Sequence, residues 1–450
     1  MESLGQCIYA WMEANELTVA QLSKKLGFKS KTSLFRLLHG QSNEYSRDRF
    51  YHAIENELDE EWRARFRLAL LTERIGAQRH ALLQALDHCL FAKGEKAPSF
   101  IWLPQESGGT ILILGCPWAS VFSLADHWLA ESTDTRVIHY FTRKELLASD
   151  ELLPGLIGHI GALRYQAVLL DAEEAKPLPL TWNIVLHTVN QETQALLISE
   201  NSGAWEHLNN GDAWLRALNS QLAQLPQTPL YRFDQLKSSS DYKVFTQQSY
   251  QMEYNRKTLI IKPTPGMQMM PADVVESTFI DYLIQNMEPV AMARESLIYT
   301  FEKRVKNFYA CRKPRFLLLS VDAMLRFART GLMDDQFFAF RPYTKGERVK
   351  VFKALQEFSR RAGVAFRFRA GDGWSVSAEV YEGFGALFYP SATNYNTALG
   401  DYRELLLPGP EFADLLFQYA GELLFANPPE ESVDDTFARF IREAEREEEK

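Results

Sequence analysis

The hydrophobic pattern changes character once along this chain, and that change constrains the fold more than any other feature. Up to residue 91, apolar residues recur at helical spacing. Beyond about residue 100, short β-rich runs alternate with helical ones. The segment AKGEKAP, residues 92–98, has loop composition and separates the two regimes. The first regime predicts an all-α domain. The second predicts βαβ units and a partly parallel sheet. The expected fold class is therefore multidomain: an N-terminal all-α domain followed by a large α/β region with a mixed sheet. The expected divisions are 1–75 for the helical domain, 76–98 for a helical linker, and 99–229 and 230–450 for two α/β subdomains. A chain of 450 residues is long enough for them, at about 150 residues per domain.

In the helical domain Leu4, Ile8 and Trp11 share one face of a first helix. Thr18 can cap a second, carrying Val19, Leu22 and Leu26 and ended by Gly27. Ser30 can cap a third, with Leu34, Leu37 and Leu38 turned inward and Gly40 as its stop. Ser46 opens a fourth with Phe50 and Ile54 inward. Asp59 opens a fifth with Trp62, Phe66 and Leu70 at successive i+4 steps. Leu82, Leu83, Leu86 and Leu90 continue the helical pattern, and Leu82, Leu86 and Leu90 offer a partner-facing stripe.

In the α/β region the runs at 110–116, 135–141, 165–170, 182–189 and 257–263 are strand candidates. Helices are expected at 118–130, about 273–286, 290–310, 346–362, 409–425 and 432–448. The stretch 230–250 reads as a polar loop or linker. Residues 364–380, with Gly371-Asp372-Gly373 between two alternating runs, read as a β-hairpin. The basic run 301–316 reads as a solvated helix end, and the aromatic run 379–396 as strand core. No internal repeat of fixed period is visible.

The chain is acidic, with a formal net charge of -9, so any contact with a polyanion must be local. One stretch is a candidate. Lys24, Lys25, Lys29, Lys31 and Arg36 lie in a run that contains no acidic residue. Its two helices, joined by a turn at Gly27, can seat their leucines on one core. Lys31, Thr32, Phe35 and Arg36 then fall on the outer face of the second. Lys29 and Ser30 sit at the positive end of that helix dipole, where phosphate binds favourably. Thr18, Leu22, Leu26, Gly27 and the run KSKTSLFRLLHG resemble the Cro/repressor-like (XRE) helix-turn-helix family. The turn is about a residue longer than the family's commonest form, which leaves the register of the base-reading residues open.

That resemblance covers roughly the first 70 residues. It implies that the second helix is a recognition helix and that double-stranded operator DNA is the partner. The candidate DNA-binding residues are Lys24, Lys25, Lys29, Ser30, Lys31, Thr32, Ser33 and Arg36. Lys24, Lys25 and Lys29 would position the domain on phosphates, and Lys31 and Arg36 would read bases. A homodimer on paired half-sites is expected, because a single domain of this size makes too few contacts for tight specific binding.

Elsewhere the sequence is sparse in chemistry. Cys7, Cys89, Cys116 and Cys311 are scattered, which argues against a disulfide framework or a structural zinc site. No phosphate-binding loop or nucleophile elbow is present. No metal, cofactor or catalytic residue is expected, and the large α/β region is expected to sense a small-molecule or peptide effector, to dimerise, or both. Two alternatives stay open. One is an enzyme with an accessory helix-turn-helix domain; the other is an autoregulating interaction or scaffold protein. The N-terminus has no basic segment followed by a long apolar one. The most apolar stretch, 111–130, is broken by Pro117, Asp126 and His127. A cytoplasmic location without a membrane partner is expected.

Overall fold

The computed structural model describes residues 3–25, 31–39, 44–54, 58–91, 108–116, 119–170, 183–198, 205–235, 239–277, 294–333, 342–371, 374, 376–391, 401–426 and 431–446. The chain forms two compact units, Met1–Ala85 and Leu86–Lys450.

The first unit is helical: α1 (Leu4–Ala14), α2 (Val19–Lys25), α3 (Lys31–Leu38), α4 (Glu44–Ile54), α5 (Glu60–Ile75) and the first part of α6 (Ala77–Phe91). The starts of these helices have local causes. The Ser3 hydroxyl accepts from the Gln6 amide and the Gln6 side chain accepts from the Ser3 amide, a reciprocal cap on α1. Thr18 and Gln21 exchange the same pair of bonds at α2, at 3.2 and 2.8 Å. Asp59 accepts from the Trp62 amide at 2.8 Å and opens α5, as its position in the sequence predicts. The fourth helix begins at Glu44, ahead of the expected Ser46.

The second unit contains two seven-stranded sheets. The first sheet is built from β1 (Thr110–Leu114), β2 (Arg136–Thr142), β3 (Tyr165–Leu170), β4 (Ile184–Val189), β5 (Glu192–Ile198), β6 (Trp205–Leu208) and β7 (Gln227–Pro229). Around it lie α7 (Ala119–Glu131), α8 (Arg143–Ala148), α9 (Leu152–Gly158) and α10 (Gly211–Leu222). The second sheet is built from β8 (Tyr231–Gln235), β9 (Thr258–Lys262), β10 (Arg315–Ser320), β11 (Val364–Arg369), β12 (Val376–Tyr381), β13 (Gly385–Pro390) and β14 (Asp401–Pro408). Its helices are α11 (Ser239–Glu253), α12 (Ala272–Val275), α13 (Arg294–Ala310), α14 (Val321–Thr330), α15 (Lys345–Ser359), α16 (Pro410–Tyr419) and α17 (Val433–Glu445).

The two sheets repeat one topology in six of their seven strands; the seventh adds to opposite edges, β7 beside β3 and β8 beside β14. The first has the order β6-β5-β4-β1-β2-β3-β7; the second, read from its far edge, is β8-β14-β13-β12-β9-β10-β11. In each, three strands run parallel and the next three return as an antiparallel meander that starts beside the first. The end of the second parallel strand caps the following helix in both, through Thr142 on α8 and Ser320 on α14. No fixed period marks this in the sequence because the crossovers differ in length. The first crossover runs from 115 to 135 in one sheet and from 263 to 314 in the other.

Four expectations are overturned. Leu82, Leu86 and Leu90 do not form an exposed partner-facing stripe, since all three are buried. The described residues of 230–250 are not a linker but β8 and most of α11, with 236–238 outside the described residues. Leu230 joins the sheets: its amide donates to Ala167 in β3 at 2.9 Å and its carbonyl accepts from Leu406 in β14 at 2.8 Å. Residues 364–380 are not a hairpin, because β10 and β9 separate β11 from β12. Every residue of β12 is buried, whereas most of β11, VAFRFR, is only half-buried. Burial thus selects the apolar run for the centre and sends the arginine-bearing run to the edge. The run 301–316 is not simply a solvated helix end, since Arg304 and Arg315 are buried. The true hairpin joins β12 to β13, turning at Glu382–Phe384, where Gly383 takes a φ of 72°.

Asp87, in the last part of α6, accepts two hydrogen bonds from the Arg369 guanidinium at 2.9 and 3.2 Å and one from the Tyr419 hydroxyl at 2.7 Å. Arg369 lies over the Phe91 ring, and Phe91 meets Trp374 edge-on. Among the described residues no helix is long and apolar enough to cross a membrane.

Candidate nucleic-acid interface

Helix α3 has two unlike faces. Leu34, Leu37 and Leu38 are buried, packed in one core with Leu22 of α2, Leu4, Ile8 and Trp11 of α1, Phe50 and Ile54 of α4, and Phe66 of α5. Thr32, Phe35, Arg36 and His39 are exposed. The 3.6-residue period produces this division: positions 34, 37 and 38 fall together and positions 32, 35, 36 and 39 fall opposite.

Helix α1 lies close against the end of α3. A Cβ at Gly5 would run into the Leu38 carbonyl oxygen, so only glycine allows this approach. Glu73 ties the surrounding helices together, accepting from the Leu4 amide at 3.2 Å and from Arg47 at 3.1 Å. The presenting helix is thus carried on a packed support rather than on a loop.

The structure places the sequence-predicted site residues as follows. Thr32 and Arg36 lie on the exposed face of α3, and Lys24 is exposed at the end of α2. Lys25 is the last residue of α2, and Lys31 and Ser33 are in α3; the side chains of these three lie outside the described residues. Lys29 and Ser30, with the turn at Gly27, also lie outside them. Sequence reasoning overlooked His39. Its ring stacks on Phe35 with centroids 4.5 Å apart and planes at 13°, and its Nδ1 lies 2.9 Å from the Phe35 carbonyl oxygen. The i, i+4 spacing of the two rings is the signal that could have revealed the pair.

Open α/β sheets commonly bind ligands at the carboxyl ends of their parallel strands, and in each sheet strand direction reverses beside the first of those strands. In the second sheet that reversal lies between β9 and β12, and it is occupied by the protein's own charges. Lys262 reaches Glu379 at 2.5 Å. Glu379 also accepts from Tyr389 at 2.8 Å, from Gln268 at 3.2 Å and from the Tyr381 hydroxyl. Burial alone would raise the Glu379 pKa, but the Lys262 charge and hydrogen bond, the Tyr381 hydroxyl and Arg304 outweigh it and hold the carboxyl at about 2. Nearby, the Arg304 Nε lies 3.1 Å from both oxygens of Glu253. Burial works against the Arg304 charge, and Glu253 more than restores it. The gap bounded by Glu253, Thr258, Gln268, Asn307, Arg315 and Tyr381 is too narrow for a water molecule. This gap lies beside Thr258 and Arg315, the first residues of β9 and β10, and is a polar core at the amino ends of the parallel strands.

In the first sheet the equivalent place lies between β1 and β4. The buried Cys116 follows β1 with a φ of 56°, and its amide donates to the Asn183 side chain at 2.9 Å. Burial, with Glu145 nearby, pushes its thiol pKa up, so the sulfur stays protonated and unreactive. His139 is fully buried. Its Nε2 donates to the Gly115 carbonyl at 2.5 Å, so in the neutral ring Nδ1 accepts from the Tyr165 hydroxyl at 2.7 Å. Burial lowers its pKa to about 4, with the Gly115 bond opposing and His159 reinforcing the shift.

The pH dependence follows from that depressed value. The unfolded imidazole takes up a proton near pH 6.5, which the folded one refuses until about pH 4. Stability is therefore complete above 6.5 and falls between 6.5 and 4, by up to about 3 kcal/mol. Urea unfolding at pH 7.5, 6 and 5 checks this against His139→Gln, whose stability should depend less on pH across that window. Equal dependence in the two proteins would refute it.

No protein-family model matches this chain, and no curated protein was found that is similar to it.

Proposed function

We propose that the protein is a DNA-binding transcriptional regulator. Its N-terminal unit presents α3 to the major groove of operator DNA, and its α/β unit senses a signal, mediates dimerisation, or both. The observation that carries this reading is the division of α3: a leucine face anchored in the helical core, and an opposite face offering Thr32, Phe35 and Arg36 to solvent. That face belongs to a stretch with five basic residues and no acidic one, in a chain of net charge -9. A local basic surface of this kind supplies the phosphate contacts that the whole molecule's field would oppose. The two sheets support the second half of the reading by providing an extensive folded surface beyond what DNA contact requires. Leu230 links them through backbone hydrogen bonds to both.

The test begins with genome-wide mapping of bound DNA, followed by titration of the full-length protein on a recovered site. Arg36→Ala should weaken specific binding by about 1–3 kcal/mol if the guanidinium contacts a base. Lys24→Ala should weaken all sequences alike and reduce the slope of log affinity against log salt by about 1. Sedimentation at micromolar concentration, with and without the site, should show a dimer on DNA. Absence of sequence-selective duplex binding by the wild-type protein would refute the assignment.

A further inference from the structure

We infer that Phe35 reads a thymine 5-methyl group in the operator. The inference rests on the reading of α3 as the helix that enters the major groove. Phe35 is 54% exposed, the most exposed large hydrophobic side chain among the described residues of the N-terminal unit; Tyr9 and Leu68 follow at 44% and 40%. A single exposed aromatic needs no explanation in itself. This one is set apart by its neighbours. Thr32 and Arg36, which can hydrogen-bond to base edges, flank it on the same face, and His39 stacks against it. The stacked imidazole limits the rotamers open to the phenyl ring, so part of the ordering cost of recognition is met before DNA arrives.

A phenyl ring has no hydrogen bond to offer, so it can discriminate among bases only through apolar contact. In the major groove the thymine 5-methyl is the apolar group that distinguishes one base from the others. Phe35 therefore selects for thymine at the step it faces, while Thr32 and Arg36 account for polar contacts alongside. The exposed leucine-free face of α3 thus combines two kinds of readout on adjacent residues.

The experiment uses the full-length protein and an operator recovered by genome-wide mapping. Each thymine is replaced in turn by deoxyuridine, which removes only the methyl. For the wild type, affinity should fall about fourfold at one or two thymines per half-site, the value expected for losing one buried methyl. In Phe35→Ala, which alters an exposed position, the same replacements should change affinity by less than about 1.5-fold, because a cavity-free shallow contact has been removed beforehand. The inference is overturned, and the DNA-binding assignment kept, if the wild type binds its operator but tolerates deoxyuridine everywhere. It is likewise overturned if Phe35→Ala retains the wild-type penalty. Failure of the wild type to bind any duplex selectively would remove both. Should Phe35→Ala not fold, Phe35→Gln at the same exposed position takes its place, and its retention of the wild-type penalty overturns the inference.

Discussion

Lys262→Met will lower the stability of the α/β unit by about 3–5 kcal/mol, because it leaves Glu379 as a buried charge without its counter-ion. Glu379 is 6% exposed and Lys262 5%, so water cannot take over the solvation that is lost. Tyr381, Tyr389 and Gln268 would still donate to the carboxylate, but none carries a charge. The double variant Lys262→Met/Glu379→Gln should recover at least half of the loss, since a neutral amide removes the stranded charge while keeping an acceptor for the tyrosines. Equilibrium unfolding in guanidinium for the wild type, both single variants and the double one gives the coupling directly. A single-variant cost below about 1 kcal/mol would show that the pair does not behave as a buried ion pair. The same carboxylate makes the unit acid-sensitive at lower pH than His139 does. Its pKa falls from 4.5 to about 2 on folding, so its contribution is present above 4.5 and is lost as pH drops toward 2.

Phe66→Ala will cost about 3–5 kcal/mol in the helical unit. Phe66 is fully buried and holds the aromatic centre of that core, with Phe50, Trp11 and Trp62 at centroid distances of 6.0, 6.1 and 6.4 Å. Truncating it opens a cavity where α1, α4 and α5 meet, and a helical unit of this size holds only a few kcal/mol in reserve. The full-length variant should therefore unfold its helical unit at lower temperature while the transition of the α/β unit stays in place, and, on the proposed function, operator affinity should fall with the first. Differential scanning calorimetry beside an operator titration separates the two. Loss of both transitions at once would mean that the units fold as a single cooperative body.

Much of the helical unit can be read from its sequence. Leu34, Leu37 and Leu38 reveal the buried side of α3, and Thr18 and Asp59 announce their helices, because periodicity and capping are local properties. The outer residues Thr32 and Arg36 follow from the same period. The strands at 110–116, 135–141 and 165–170 are visible for a similar reason: each is a short run rich in β-formers between turn signals. The sequence is less informative about strands whose apolar content is modest. The run of β8, Tyr231–Gln235, has linker composition, and only pairing with β14 makes it a strand.

Sequence alone determined the division into a helical part and an α/β part, the ends of several helices, and the two faces of α3. These depend on neighbours a few residues apart. Tertiary structure decided what depends on distant partners. It placed β11 at an edge and β12 at the centre although they adjoin in the chain, because parallel pairing with β10 draws the first away. It buried Arg304 and Arg315, which look like solvent-facing charges until Glu253 pairs with the first and the Thr258 hydroxyl accepts from the second. It also built one topology twice from segments of unequal length, since strand order is fixed by hydrogen-bond pairing and sheet burial, and neither leaves a period in the sequence.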